Sequence, residues 1–215
     1  MVLLSLLIFI VTSSIHLYAS FNKNRKLRAI SKVLIIPSLL IYYVFKTNNI
    51  ETYFILALLF SWFGDLFLIL RGNKYFAIGG VSFGLSHIFF IISYIKKMNN
   101  MYIPFYIYIL ALIYFIVTII VFKHLKKYLP KQLIAPMCLY LLTNATMNCF
   151  ALTLFNNILN KYSLIVFIGA ISFFISDTNL FFVRFKKEEK RQNHFIVMLT
   201  YIVAEFLIVF GYINL

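Results

Sequence analysis

Residues 52–70 read TYFILALLFSWFGDLFLIL and decide the fold, because this apolar run contains a single charged residue, Asp65. About 20 apolar residues cross the hydrocarbon core of a bilayer as one α-helix, in which every backbone group bonds within its own segment. Similar runs occupy most of the chain and predict membrane spans at 2–20, 29–46, 52–70, 75–95, 101–122, 132–154, 162–183 and 194–213. The runs are continuously apolar rather than alternating, unlike the strands of a transmembrane β-barrel. The sequence therefore predicts an all-α polytopic membrane protein, with residues 1–215 forming one integral domain of eight helices.

The composition excludes a soluble domain. Of the 215 residues, 63% are hydrophobic and only 12% are charged, whereas about 25% of the residues of a soluble domain are charged. The formal net charge is +14, which in a soluble chain would suggest nucleic-acid binding. In so apolar a chain, we expect the Lys and Arg residues to orient loops at a bilayer surface instead. The expected partner is thus the lipid bilayer, and no nucleic acid.

The basic residues predict the orientation of the helices. Most lie in the loops after the first, third, fifth and seventh spans: Lys23, Arg25, Lys26, Arg28, Arg71, Lys74, Lys123, Lys126, Lys127, Lys131, Arg184, Lys186, Lys187, Lys190 and Arg191. The loops on the opposite side hold only Lys46, Lys96, Lys97 and Lys161. Cytoplasmic loops carry the excess of Lys and Arg, so we predict a plasma-membrane protein with both termini outside. The first run is expected to be a retained helix, since its basic cluster follows the apolar residues, the reverse of a cleavable signal.

Ionisable residues fall inside the predicted spans, among them Lys32, Asp65, His87, Asp177 and Glu205. An ionisable side chain costs at least about 2.5 kcal/mol inside a bilayer and usually marks a transport pathway or a site. At 1.5 Å per residue, Lys32, Asp65 and Asp177 lie within about 5–10 Å of the cytoplasmic interface, while the other two lie near the midplane. We therefore predict one polar cavity, open toward the cytoplasmic leaflet, that collects all five side chains.

Each of these residues also has a purely structural interpretation. Asp65 or Asp177 could pair with Lys32 to hold helices together, or Lys32 could extend to the interface. His87 could be a hydrogen-bonded core residue. Glu205 could bind a neighbouring helix while protonated. These alternatives stay open at the level of sequence.

Two asparagines on the sixth span present the same choice. Asn144 and Asn148 are four residues apart, and so lie on one face of a helix, near Tyr140. Hydrogen bonding between helices is their simplest role, because polar side chains in a bilayer seek partners on neighbouring helices. The alternative is that they contribute to the predicted cavity.

A weak internal repeat links the third and seventh spans. Residues 61–65, SWFGD, and 173–177, FFISD, each place a small residue before an aspartate, and each is followed by an apolar stretch and an arginine. The two spans are four apart, which suits a four-plus-four pseudo-repeat. Transporters are often made of such repeats. A transporter that couples a small molecule or lipid to a proton or cation through the buried acids is therefore the alternative function, and a lipid-binding protein without turnover is a third.

Several segments, taken in order along the chain, resemble the YhhN family, which includes the eukaryotic lysoplasmalogenases. They are 31–37 (SKVLIIP), 60–65 (FSWFGD), 84–87 (GLSH), 169–177 (GAISFFISD) and 201–205 (YIVAE), and the stretch from Tyr140 to Met147 also fits. The resemblance implies an eight-helix membrane protein that hydrolyses the vinyl ether bond of lysoplasmalogens. These single-chain ether lysophospholipids would yield a fatty aldehyde and a glycerophospho-base.

The resemblance also implies roles for individual residues. Asp65 and Asp177 match the paired family aspartates taken as catalytic. The supporting or substrate-binding residues are expected to be Lys32, Ser61, His87, Tyr140, Asn144, Ser176, Tyr201 and Glu205. The chain departs from the family pattern at two positions: Val33 rather than proline follows Lys32, and Glu205 stands where a glutamine is usual. No metal-binding or nucleotide-binding motif accompanies them, so no metal and no cofactor are expected.

Two carboxyl groups supply what vinyl ether hydrolysis needs. Protonation of the alkene carbon gives an oxocarbenium ion, to which water adds, and the hemiacetal then collapses to aldehyde and alcohol. One carboxyl must be protonated and the other ionised, as in glycosidases, which stabilise a similar cation. Carboxyl groups in a low-dielectric pocket resist ionising together, and Lys32 would favour the ionised form of whichever aspartate it approaches. We expect Asp65 and Asp177 to form this pair without a covalent intermediate, in either assignment of the two roles.

Overall fold

The computed structural model describes residues 1–98, 101–186 and 191–215, although not the side chains of residues 191–193. The helices are α1 (Val2–Phe21), α2 (Arg25–Lys46), α3 (Thr52–Ile69), α4 (Asn73–Lys97), α5 (Phe105–Lys126), α6 (Ile134–Ile158), α7 (Lys161–Phe185) and α8 (Arg191–Ile213). All eight helices of the described part of the chain are long and apolar enough to span a membrane. The predicted all-α, multi-pass membrane fold is thereby confirmed. Two residues of the last predicted basic loop, Lys187 and Lys190, lie outside the described residues, as does the side chain of Arg191.

Local capping explains where the helix ends differ from the predicted spans. α2 begins at Arg25 rather than at residue 29, because the Asn24 side chain accepts a hydrogen bond from the Leu27 N–H at 3.2 Å. Such an N-cap stabilises the first turn even where its composition is basic. α6 continues past residue 154 to Ile158, and it ends where Leu159 adopts a left-handed backbone with φ of 48°. That conformation cannot continue a right-handed helix.

The helices pack mainly as sequential pairs. α1 packs on α2, α3 on α4 and α7 on α8, while α6 contacts both α4 and α7. α8 also lies against α1 and α2, so helices α2, α3, α4, α6, α7 and α8 surround the interior. α5 packs chiefly on α6, and most of its side chains are at least partly exposed. The polar residues of interest therefore lie among six helices, with α5 at the periphery.

The packing follows the four-plus-four arrangement in part. α2 contacts α3 as α6 contacts α7, α3 contacts α4 as α7 contacts α8, and α2 contacts α8 as α6 contacts α4. The first helix of each half breaks the correspondence, because α1 packs on α8 as well as on α2, whereas α5 packs mainly on α6. The correspondence thus holds for three helices in each half, and these carry both aspartates.

Candidate functional site

Asp65 is held by a cation and a hydroxyl from two neighbouring helices. The Lys32 Nζ of α2 lies 3.0 Å from Asp65 Oδ1, and the Tyr201 hydroxyl of α8 donates to Asp65 Oδ2 at 2.8 Å. The carboxyl is buried, with 1% of its side chain exposed, and the Lys32 side chain is 14% exposed. The structure therefore brings three of the predicted site residues together as one ion-paired cluster. A buried ion pair with additional hydrogen bonds is the arrangement that offsets the cost of removing both charges from water.

Asp177 is held by uncharged donors from a single helix. The Tyr140 hydroxyl and the Asn144 amide, both on α6, donate to Asp177 Oδ2. The Asn148 amide donates to Asn144 Oδ1 at 2.9 Å and so fixes which end of the Asn144 amide faces the aspartate. Among the described residues, none donates a hydrogen bond to Asp177 Oδ1. Asn144 therefore makes the expected hydrogen bond between helices, with the Asp177 carboxyl as its partner, while the Asn148 amide donates to Asn144 within α6.

The two aspartates have their partners at the same spacing along the chain. Asn144 precedes Asp177 by 33 residues, which is also the interval between Lys32 and Asp65. In each half of the molecule, the second helix thus supplies a donor to the aspartate of the third. The repeat that was weak in sequence is clearer in geometry, although one donor is a cation and the other a neutral amide.

An aromatic cluster connects the surroundings of the two aspartates. The rings of Phe83, Phe173 and Tyr201 pack edge-to-face, with centroids 5.6 to 6.1 Å apart. Tyr201 bonds to Asp65, and Phe173 lies one helical turn before Asp177. Packed rings therefore link the two carboxyl sites.

The small residue before each aspartate allows a neighbouring helix to approach closely. A Cβ atom at Gly64 would lie 2.5 Å from the ring of Phe83, so any larger residue there would displace the aromatic cluster. Ser176, at the corresponding place on α7, donates its hydroxyl to the Val197 carbonyl of α8 at 2.9 Å. Ser61 pairs with the hydroxyl of Ser86 on α4, also at 2.9 Å. Both predicted serines thus join helices, and their hydrogen bonds do not go to the aspartates.

His87 and Glu205 are buried without hydrogen-bond partners among the described residues. The His87 ring packs against Tyr140 and Phe173, with centroids 5.3 and 5.0 Å away, so it is not the hydrogen-bonded core histidine that the structural alternative supposed. The hydroxyls of Ser61 and Tyr201 approach the Glu205 carboxyl, but their hydrogen bonds go elsewhere. An unpaired buried polar group costs about 1–3 kcal/mol, so neither side chain stabilises the bundle through a hydrogen bond among the described residues.

A cavity of about 370 Å³ lies at the end of the bundle where α1, α3 and α7 end, here called the basic end. Its lining residues are His16, Lys23, Arg25, Arg28, Ala29, Lys32, Leu68, Ile69, Leu70, Arg71, Phe76, Leu180, Val183, Arg184, His194, Val197 and Met198. Of the five ionisable residues expected in one cavity, only Lys32 lines it. That prediction is wrong for this cavity: Asp65 lies directly behind Lys32, and the others lie deeper, because protein donors and aromatic rings enclose them.

A second cavity, of about 20 Å³, lies between α4 and α6. Tyr140, which binds Asp177, forms part of its wall, and so do Ala77 and Gly80 of α4. Phe76 lines both cavities. Each aspartate is therefore one side chain away from a different cavity, through Lys32 for Asp65 and through Tyr140 for Asp177.

Trp62 is a positioning residue that sequence reasoning missed. Pro37 interrupts α2, and since proline has no N–H, the carbonyl of Val33 loses its helical hydrogen bond. The Trp62 Nε1 of α3 donates to that carbonyl at 2.9 Å. Val33 adjoins Lys32, and Trp62 precedes Asp65 by three residues, so this bond fixes the two helices beside the ion pair. The signal in the sequence was Pro37 inside an apolar span, because a proline within a helix leaves the carbonyl four residues earlier without its hydrogen-bond donor.

No metal site is evident among the residues that the structure describes, where no three His, Cys, Asp or Glu side chains form a group able to hold an ion. The lysine and the hydroxyl and amide donors around the aspartates bind anionic or carbonyl oxygen instead. The arrangement is therefore suited chemically to proton transfer between carboxyl groups and a bound molecule.

The sequence model of the YhhN family matches residues 27–212, a range that includes every predicted site residue. No curated protein and no solved structure matches the chain.

Proposed function

Because the chain belongs to the YhhN family, we propose that it is an intramembrane hydrolase that cleaves the vinyl ether bond of lysoplasmalogen, of the ethanolamine or choline type. The products would be a fatty aldehyde and a glycerophospho-base. Family membership supports a lysoplasmalogenase-like function. The observation that carries the specific reaction is the unequal pair of buried carboxyl groups, in which Asp65 is bound by a lysine and Asp177 only by uncharged donors.

This inequality assigns the two roles that the reaction needs. In a low-dielectric interior, an ammonium group 3.0 Å away favours the carboxylate form of Asp65. Asp177 has no such cation within hydrogen-bond distance among the described residues, so no neighbouring charge there favours its carboxylate form. Asp177 is therefore the proton donor and Asp65 the base.

The hydrogen bonds to Asp177 also indicate which oxygen carries the proton. Both donors, Tyr140 and Asn144, approach Oδ2, which therefore acts as the acceptor oxygen of the carboxylic acid. The proton then resides on Oδ1, which no described residue engages, and it can be given to a substrate. Orientation of an acid by fixed donors is a common means of preparing a group for proton transfer.

The proposed reaction conserves protons at both carboxyl groups. Asp177 gives its proton to the alkene carbon that does not bear the ether oxygen, and the adjacent carbon becomes an oxocarbenium ion. Asp65 takes a proton from water as the water oxygen bonds to that carbon, which gives a hemiacetal. The carbon–oxygen bond to glycerol then breaks: Asp65 returns its proton to the departing oxygen, and Asp177 accepts the proton of the hemiacetal hydroxyl. Both carboxyl groups end in their starting states.

The remaining site residues would support this pair. Lys32 and Tyr201 hold the base, and Tyr140 and Asn144 orient the acid. His87 and Glu205 are proposed to contact the substrate or the attacking water, since the protein leaves their polar atoms without partners. The substrate would enter as a single-chain ether lysophospholipid from the bilayer, with no cofactor.

We place the protein in the plasma membrane with the basic end toward the cytoplasm. Loops rich in Lys and Arg remain on the cytoplasmic side, and the cavity at the basic end is lined with these residues. Both termini would then lie outside. The headgroup of a lysolipid would stay at the inner interface while its chain lies between helices.

A transporter is the second candidate, favoured by one observation. The equal 33-residue spacing of the two donor–aspartate pairs indicates related halves, and repeats of this kind are frequent in secondary transporters. A transporter would use the same acids to bind a proton or a cation, and it would make no chemical product.

The test is product formation by purified full-length protein in detergent. A vinyl-ether lysolipid and its saturated-ether analogue are incubated in parallel, and aldehyde is measured. We expect aldehyde from the vinyl ether only, because only that lipid has an alkene to protonate. In D₂O the aldehyde should gain one deuterium at the carbon next to the carbonyl. A double variant, Asp65→Asn with Asp177→Asn, controls for contaminating hydrolases. Recovery of both lipids unchanged would contradict the proposal and favour the transporter or a lipid-binding protein.

A further inference from the structure

Four arginines converge on the cavity at the basic end. Arg25 and Arg28 come from the first turn of α2, Arg71 follows α3, and Arg184 lies in the last turn of α7. They come from three separate segments of the chain, so the packing of the bundle brings them around one space. Positive charge in loops is expected from membrane orientation alone, but convergence on a single cavity is not.

The charges of these four arginines are not balanced by carboxylates among the described residues. Among the described residues, none of the four guanidinium groups forms an ion pair, and no Asp or Glu lines the cavity. His16, with only 1% of its surface exposed, also lines the wall, and its Nε2 has no partner among the described residues. Like charges gathered at a low-dielectric boundary repel one another and attract an anion.

We propose that this cavity binds the phosphate of the lysolipid headgroup, and that it recognises the phosphate rather than the nitrogenous base. This inference rests on the function proposed above. Arginine presents a planar fork of N–H donors that matches phosphate oxygens in pairs. An ammonium group of the headgroup would find no carboxylate on the described wall. A lipid whose headgroup is phosphate alone should therefore bind at least as tightly as one with phosphoethanolamine or phosphocholine.

The position of the cavity suits this role. Lys32 forms part of its wall and lies 3.0 Å from Asp65, so a phosphate here would be near the base. In a lysolipid, five bonds separate the phosphorus from the oxygen at the first glycerol carbon, or about 6 Å at the advance per bond of an extended chain. The cavity volume of about 370 Å³ is within the range of small-molecule sites, about 300–1,000 Å³. Phosphate binding would thus place the ether bond close to Asp65, the proposed base.

The test measures binding of lipids that cannot be hydrolysed, so it does not depend on turnover. Full-length protein in maltoside detergent, which carries no phosphate, is titrated by calorimetry with three saturated-ether probes of equal chain length: alkylglycerol, alkylglycerol phosphate, and alkylglycerol phosphoethanolamine. Inorganic phosphate and nanodiscs that contain phosphatidylglycerol are separate arms. The variants are Arg28→Gln and Arg71→Gln, and the matched controls are Lys26→Gln and Lys127→Gln, which remove charge from the same end outside the cavity.

We expect both phosphate-bearing probes to bind at least about tenfold more tightly than alkylglycerol, and each arginine variant to lose about tenfold. The control variants and the affinity for alkylglycerol should not change. Arg71 is exposed, so its variant should fold even if the half-buried Arg28 does not tolerate glutamine.

Three results would overturn the inference: equal affinity for alkylglycerol, equal losses in the lysine controls, or tighter binding of phosphoethanolamine than of phosphate. If inorganic phosphate competes with the probe at the same affinity as the lipid, the cavity is a site for free phosphate. If phosphatidylglycerol displaces the probe, the cavity is a site for a bilayer lipid. The inference and the proposed function can fail independently. Arginine-dependent binding without aldehyde release would support the inference and contradict the function. Aldehyde release that does not depend on Arg28 or Arg71 would support the function and contradict the inference.

Discussion

Asp65 and Asp177 occupy equivalent places in the two halves of the bundle, yet their surroundings differ in charge. Each lies near the end of its helix and binds a residue 33 positions earlier, but Asp65 binds Lys32 and Asp177 binds Asn144. Each also accepts a tyrosine hydroxyl, from Tyr201 in one case and Tyr140 in the other. One scaffold thus surrounds two carboxyl groups with neighbours of different charge. Environments that separate two acids in this way are typical of acid–base pairs.

The largest effect is expected from removing either carboxyl group. Asp65→Asn and Asp177→Asn should each lower aldehyde release by about 10²–10⁴-fold, the usual contribution of an acid or base. The two should differ in stability, because Asp65→Asn leaves the Lys32 ammonium without its counter-charge, whereas Asp177→Asn leaves no charge unpaired. Thermal unfolding in detergent measures this difference.

A matched control for these variants is Glu51→Gln. Glu51 pairs with Lys96 at 3.1 Å near the opposite end of the bundle, and its loss should leave turnover nearly unchanged. Near-normal aldehyde release by both aspartate variants would remove the basis of the mechanism. Equal stability losses would contradict the claim that the two carboxyl groups differ in charge.

Making the two clusters alike should also inactivate the protein. Asn144→Lys gives Asp177 the same kind of partner that Lys32 gives Asp65, and it should cost about 100-fold in turnover because the acid would lose its proton. Asn144→Leu removes the donor without adding charge and should cost about tenfold. Steady-state aldehyde release compares the two. A lysine variant that is no worse than the leucine variant would show that the charge state of Asp177 does not matter.

Removing one hydroxyl from each cluster gives a smaller and graded effect. Tyr140→Phe leaves Asp177 with Asn144 alone and should reduce the maximal rate by about tenfold, while Tyr201→Phe leaves the Lys32 ion pair and should reduce it by only a few-fold. The two variants are nearly isosteric with the wild type, so they control for each other. The measurement is the maximal rate at saturating lipid, and the reverse order would exchange the proposed roles.

The smallest effect is expected at the third buried acid. Glu205→Gln introduces the residue that the family pattern favours, and it removes a carboxyl group without hydrogen-bond partners among the described residues. We expect turnover within a few-fold of wild type and nearly unchanged thermal stability, because the glutamine side chain has the same size and is equally without partners there. Thermal unfolding and aldehyde release check both points. A loss of 100-fold would make Glu205 a member of the catalytic group.

Much of the fold was predictable because it rests on long-range composition. The eight apolar runs predict the helices, and charged residues in those runs predict Asp65, Asp177 and Lys32 without any structure. The sequence did not predict which polar side chains would pair. Successive residues are about 100° apart around a helix, so a small rotation of a helix decides whether Lys32 contacts Asp65 or Asp177.

The sequence also did not predict that the interior of the bundle would be closely packed. A common cavity requires polar side chains to line an open space. Lys32, Tyr140 and Asn144 instead bind the carboxyl oxygens of the aspartates. The convergence of Arg28 and Arg71 on one cavity depends likewise on packing between helices that are distant in sequence.

The most direct test of the unequal pair is infrared difference spectroscopy of the protonated carboxyl band. The measurement is made on Glu205→Gln protein in bilayers at neutral pH, so that the third acid does not contribute, and the two aspartate variants are added in turn to that background. The account predicts that the carbonyl stretch of a buried carboxylic acid disappears with Asp177→Asn and persists with Asp65→Asn. Loss of the band with Asp65→Asn, or no such band before either substitution, would contradict it.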